Sequence, residues 1–111
     1  MREKIPRRFL ELMAGRFATL ADPTRLEIIH CLMGGEQSVT RIVEATGQTH
    51  PNVSKHLRHL RDAELVARRK EGLQVFYRLD DPLIEKLCKL VCESLLEEFE
   101  SDEGGADSGG G

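Results

Sequence analysis

The sequence predicts a mainly α-helical domain with one small β-hairpin, in which a helix near each end of the chain flanks a helix-turn-helix. Three observations predict it. Apolar residues recur at three- and four-residue spacing in five stretches. Asp22, Ser38 and Thr49 stand where helix N-caps belong, just before three of those stretches. Residues 65–79 then switch to β-branched and aromatic residues around a glycine-containing turn. With 111 residues, 40% of them hydrophobic, the chain is long enough for one domain and one modest core.

Phe9, Leu10, Met13, Phe17 and Leu20 define an amphipathic first helix. Asp22 caps a second, Pro23 suits its first position, and Gly34-Gly35 stops it after Met33. Ser38 caps a third helix with Val39, Ile42 and Val43 facing inward, and Gly47 ends it. Thr49 caps a fourth, with Pro51 in its first turn and Val53, Leu57 and Leu60 as its buried stripe. Two short helices joined by a tight turn form a helix-turn-helix. Leu65 to Lys70 and Leu73 to Leu79 flank Glu71-Gly72 as a hairpin with a basic tip. A last helix is expected from Pro82 to Phe99, with Ile84, Leu87, Cys88, Val91, Cys92, Leu95 and Phe99 on one broad face. The two outer amphipathic helices offer more apolar surface than one small core needs, so they are expected to pair with a second copy. Residues 1–100 are therefore read as the DNA-binding and dimerisation domain. Residues 101–111 hold five of the ten glycines and no large apolar side chain, and are expected to be a disordered acidic tail.

Charge is unevenly spread. Residues 1–79 carry 14 basic and 9 acidic side chains, whereas residues 80–111 carry 2 and 10. A basic body with an acidic end suggests a nucleic-acid surface and a solvating tail. No run approaches the roughly 18 apolar residues of a membrane helix. The charged N-terminus lacks a signal-peptide core, so a cytoplasmic location is expected, with no membrane partner. Cys31, Cys88 and Cys92 are an odd number and are expected to be free thiols in a reducing compartment. No Cys-x-x-Cys, phosphate loop or Ser-His-Asp spacing is present, which argues against an enzyme. An interaction module without DNA binding would suit the acidic tail but not the basic hairpin.

On a helical wheel the fourth helix turns Pro51, Lys55, Arg58, His59 and Asp62 away from its apolar stripe, with Asn52 and Ser54 on the flanks. Thr49 and His50 sit at its start. This suits a recognition helix whose N-terminal residues reach base edges in the major groove of double-stranded operator DNA. Asn52 can pair with adenine, Ser54 or His50 can contact base or phosphate, and Lys55 and Arg58 supply charge to phosphates. Arg68, Arg69 and Lys70 put three adjacent cations on the hairpin, placed to straddle the backbone or minor groove.

These stretches resemble the ArsR/SmtB family of winged-helix repressors. The resemblance rests on Leu20-Ala21-Asp22-Pro23-Thr24-Arg25-Leu26, then Val53-Ser54-Lys55-His56-Leu57-Arg58-His59-Leu60, then Val75-Phe76-Tyr77-Arg78-Leu79, and extends over residues 9–97. It implies a winged helix-turn-helix homodimer, joined through the first and last helices, that represses by operator binding until an inducer binds. Glu64 departs from the family's usual glycine before the first wing strand, where a left-handed residue costs a non-glycine about 1 kcal/mol.

The same resemblance frames the sensing chemistry. Ser38-Val39-Thr40 stands where some relatives carry a Cys-Val-Cys metal motif. Asp81 and Glu97 match a last-helix zinc site, but Leu83 and Ser94 replace both of its histidines, so zinc is not expected there. Cys88 and Cys92 remain. Four residues apart on a helix, they are too far apart for a mutual disulfide but converge well on As(III) or another soft metal ion. No resident cofactor is expected; the third donor would be Cys31, a cysteine of a second copy or a solvent ligand. Two alternatives stay open. One is a persulfide- or oxidant-driven disulfide involving Cys31, as in some relatives, although the cysteine registers differ. The other is three thiols that only pack.

Overall fold

The computed structural model describes the backbone of residues 4–109 and the side chains of residues 4–101. The chain divides into two units, Met1–Asp81 and Pro82–Gly111. In the first unit the order is α1 (Arg7–Leu20), α2 (Pro23–Leu32), β1 (Gln37–Ser38), α3 (Val39–Thr46), α4 (His50–Asp62), β2 (Val66–Glu71) and β3 (Gln74–Leu79). The second unit is one helix, α5 (Pro82–Gly109).

The three caps form as the sequence predicts. Asp22 Oδ2 accepts the Arg25 N–H at 3.0 Å, Ser38 Oγ accepts the Arg41 N–H at 3.1 Å, and Thr49 Oγ1 accepts the Asn52 N–H at 3.2 Å. Each satisfies one of the donors that a helix start leaves without a partner. Gly47 ends α3 in the left-handed region at φ 69°.

Side chains from every layer of the first unit meet in its core. Ile28 and Ile29 of α2, Ile42 of α3, Val53, Leu57 and Leu60 of α4, and Leu65 ahead of β2 are fully buried. By contrast, α1 buries only Leu20. Phe9, Leu10, Met13 and Phe17 are 41–53% exposed, so the apolar face of α1 is left uncovered in a single chain.

Two sequence expectations need correction. A short strand, β1, precedes α3 and makes the sheet three-stranded and antiparallel in the order β1-β3-β2. Two residues are too few to show a period of two, so only the pairing of Gln37 with Tyr77 and Ser38 with Phe76 reveals it. The hairpin turn is Gly72-Leu73, not Glu71-Gly72, because Glu71 pairs with Gln74 across the strands. Gly72 takes φ 61° at the first of the two loop positions, which glycine adopts without steric cost. The helix α5 extends to Gly109. Residues 110 and 111 of the expected tail lie outside the described residues.

Glu64 takes φ 63°, the one positive value at a non-glycine among the described residues. It closes α4, where the Leu65 N–H turns back to the Leu60 carbonyl at 2.9 Å and starts the wing. Replacing Glu64→Gly should raise stability by about 1 kcal/mol, seen as a higher urea midpoint at unchanged slope. A lower midpoint would show that the side chain offsets its backbone strain.

Candidate nucleic-acid interface

The recognition helix is held from behind by one arginine. Arg25 Nε donates to the Thr19 carbonyl at 2.6 Å and Nη2 to the Ala18 carbonyl at 3.3 Å. These are carbonyls of the last turn of α1, at the negative end of the helix dipole; that of Ala18 also accepts the Ala21 N–H at 3.1 Å. The third nitrogen, Nη1, lies 3.3 Å from His56 Nδ1 in α4. A guanidinium has only donors, so Nδ1 is the acceptor and the imidazole is neutral with its proton on Nε2. Nε2 lies 3.9 Å from Asp22 Oδ2, the cap of α2. Three helices therefore share one polar junction.

The wheel that places Val53, Leu57 and Leu60 inward misses His56, which is 8% exposed. The signal that could have found it is its spacing, since His56 lies three residues after Val53 and four before Leu60 on the same stripe.

The opposite side of α4 carries the expected readers. His50, Ser54, Lys55 and Arg58 are exposed, and Ser54 Oγ lies 3.4 Å from His50 Nδ1. Asn52 is half-buried, and its Nδ2 donates to Gln48 Oε1 at 2.9 Å. Asn52 therefore acts as one half of an amide pair with Gln48, a residue the sequence reading passed over because it lies in the turn. Thr49 spends its hydroxyl on the helix cap.

In the hairpin, strand alternation separates the three cations. Arg68 and Lys70 are exposed with no carboxylate partner among the described residues. Arg69 points the other way. It makes a bidentate bond to Glu36, with Nε 3.0 Å from Oε2 and Nη2 2.9 Å from Oε1, and a third to Glu71 Oε2 at 2.6 Å. Its guanidinium also lies 4.6 Å from the ring centre of Phe76, its cross-strand partner. These bonds push the Arg69 pKa further up and hold the Glu36 carboxyl below its usual range. Of the three adjacent hairpin cations, Arg69 is therefore the one that pairs with carboxylates of its own chain. Arg69 ties the wing to the loop before β1, a contact between residues 33 apart that local sequence does not show.

Cys31 is half-buried in α2, and burial and the nearby Glu27 push its thiol pKa up, against a smaller opposing effect of Arg41. In α5, Cys88 is half-buried and Cys92 exposed. Burial and then Cys92 push the Cys88 thiol up. Among the described residues no three His, Cys, Asp or Glu side chains form a group suited to hold a metal.

A helix-turn-helix followed by a hairpin that closes a three-stranded sheet defines a winged helix-turn-helix protein. The family profile of bacterial regulatory proteins of the arsR family matches residues 22–68. The HTH-type transcriptional regulator KmtR of Mycobacterium tuberculosis is 41% identical over 71 residues, 64% of this chain and 55% of KmtR. An arsenical resistance operon repressor of Escherichia coli is 38% identical over 79 residues, 70% of this chain and 68% of that protein. The solved homodimeric winged helix-turn-helix DNA-binding domain of a possible ArsR-family regulator from Mycobacterium bovis superimposes with a TM-score of 0.76 at 31% identity, covering 91% of this chain and 95% of that one. The chain belongs to the ArsR family.

The junction behind α4 carries a pH dependence. Burial is the main cause that lowers the His56 pKa below 6.5; Asp22 opposes it, and Arg25, Lys55 and His59 add to it. The unfolded chain thus takes up this proton at higher pH than the folded one. The contribution to stability is complete above pH 6.5 and declines as the pH falls below it toward the folded pKa. Between pH 7 and pH 5 the urea midpoint of the unsubstituted protein should fall more than that of His56→Gln. Parallel falls in the two proteins would assign the acid sensitivity to other groups.

Proposed function

We propose that this protein is a homodimeric DNA-binding transcriptional repressor, released from its operator when As(III) or another soft metal binds Cys88 and Cys92. The single observation that carries the DNA-binding reading is the exposed, cationic and hydrogen-bonding surface shared by α4 and the wing. In this reading His50, Ser54 and Asn52 address base edges, while Lys55, Arg58, Arg68 and Lys70 neutralise phosphates. Thr49 and Arg69 serve the same interface by holding α4 and the wing in place. Membership of a regulator family supports it, and no catalytic role is part of it.

A second copy of the chain is the partner that the apolar faces require. The exposed face of α1 is matched by exposed Val91, Leu95, Leu96 and Phe99 on α5. Burying such faces contributes about 25 cal/mol per Å². The Mycobacterium bovis neighbour is homodimeric, which supports the same state here. No helix among the described residues is long and apolar enough to cross a membrane. This reading puts the protein in the cytoplasm, where reducing conditions keep all three thiols free.

Two observations support a thiophilic inducer. The Escherichia coli relative is a repressor of an arsenical resistance operon. Cys88 and Cys92 share one face of α5, four residues apart. Arsenous acid accepts thiols directly: each As–S bond replaces an As–OH bond, and the thiol proton leaves as water with that hydroxyl. Two thiols do not complete a three-coordinate site, so the third ligand comes from the second copy or solvent. Release follows when the inducer binds a dimer geometry whose two recognition helices no longer match successive major grooves. A coupling of a few kcal/mol suffices.

Fluorescence anisotropy on DNA from upstream of the protein's own gene tests both parts. The reduced protein should bind with a steep salt dependence. Near-stoichiometric As(III) should release it. The Cys88→Ser, Cys92→Ser double variant should bind DNA equally well and ignore As(III). Normal release from that variant would sink the thiol assignment. Tight binding by the unsubstituted protein that ignores As(III) would turn attention to a disulfide involving Cys31.

A further inference from the structure

A cleft of about 270 Å³ separates α4 from the wing. One wall is a stripe of α4 that includes His50, Ser54, Arg58 and Arg61, and the facing wall includes Arg68 of β2. Positions 50, 54, 58 and 61 follow the four- and three-residue spacing of one helix face, so the stripe is continuous. Thr40, at the start of α3, closes one side. That helix start adds amide donors and the positive end of a helix dipole.

Within this cleft no positive charge is paired with a carboxylate of the described residues. Arg16, Arg41, Arg69 and Arg78 each pair with a carboxylate. Arg58, Arg61 and Arg68 make no side-chain hydrogen bond or ion pair with any described residue. No acidic residue lines the cleft. Three guanidinium groups around one concavity without a counter-charge call for an anion. The volume exceeds by several-fold the roughly 30 Å³ that a water molecule occupies in bulk, so a whole phosphate group has room.

Geometry selects the source of that phosphate. When α4 lies in a major groove and the hairpin reaches the flanking minor groove, one phosphodiester strand separates those grooves and must pass between helix and hairpin. We propose that this cleft is a phosphate seat through which one DNA backbone strand passes, gripped by Arg61 from the α4 wall and Arg68 from the wing. The inference rests on the DNA-binding reading above and adds Arg61 to it. It removes Arg69 from the phosphate contacts, because that charge is already held by Glu36 and Glu71.

The test is the salt dependence of duplex binding for the full-length protein and its Arg61→Gln, Arg61→Lys and Arg69→Gln variants. Each phosphate neutralised contributes a slope of roughly 0.9 in log K against log salt, so a dimer that uses the cleft twice should lose about 1.8 in Arg61→Gln. The loss of affinity should be equal on operator and on unrelated duplex, since a phosphate carries no sequence information. Arg61→Lys should keep most of the slope, and Arg69→Gln should leave it nearly unchanged. An unaltered slope in Arg61→Gln, or an equal drop in Arg69→Gln, would overturn the seat. Side-chain NMR of the arginines with inorganic phosphate alone covers the other source. Saturation of the Arg61 signal at low millimolar phosphate, together with an unaltered duplex slope in Arg61→Gln, would make the cleft a free-anion site and refute the strand assignment. If the unsubstituted protein shows no salt-dependent duplex binding, the repressor reading itself fails, which is distinct from a defect confined to Arg61→Gln.

Discussion

The Arg25 guanidinium is the constraint on which the rest of the domain depends. It sits where α1 ends and α2 has just begun, and it reaches His56 in the middle of α4. Its contacts reach two end-of-helix carbonyls and a ring nitrogen of the buried His56, which would be costly to leave without a partner. Because the guanidinium is rigid and planar, the three contacts fix directions as well as distances. The orientation of α4 relative to the end of α1 therefore follows from one side chain. Asp22 completes the junction by capping α2 and facing the other nitrogen of the same imidazole.

The wing is positioned by a second, independent clamp. Arg69 joins β2 to Glu36 ahead of β1 and lies over Phe76 of β3. Exposed ion pairs usually contribute little, but a bidentate arginine–carboxylate pair backed by an aromatic ring is geometrically specific. The effect is to set the distance between hairpin and recognition helix, and so the width of the cleft between them. Adjacent residues thus have opposite duties: Arg69 builds the wing, while Arg68 is left with an unneutralised charge facing α4. Strand alternation makes this division unavoidable.

The apolar surfaces divide in the same way between fold and assembly. The small core of the first unit closes around Ile28, Ile29, Ile42, Leu57 and Leu60 without help from most of α1. What α1 and α5 display beyond that core is surplus for a lone chain and suits a symmetric partner. In the proposed reading the sensing thiols lie on α5, one of the two helices assigned to the pairing of copies.

Sequence alone determined the helices of the first unit, their three caps, the glycine stop of α3 and the hairpin; the left-handed backbone of Glu64 was settled by the structure. The former are local properties: capping oxygens reach donors three residues away, periodicity shows over a few turns, and a glycine's left-handed position follows from backbone sterics. The basic character of the interface was legible for the same reason, since charge adds up without knowledge of partners. Tertiary structure decided which charges remain available. The pairing of Arg69 with Glu36, the burial of His56 against Arg25, the β1 strand and the cleft that Arg61 shares with Arg68 join residues that are distant in the chain. Such contacts depend on how elements pack, and a short two-residue strand or a histidine on a charged helix carries no local mark of its partner.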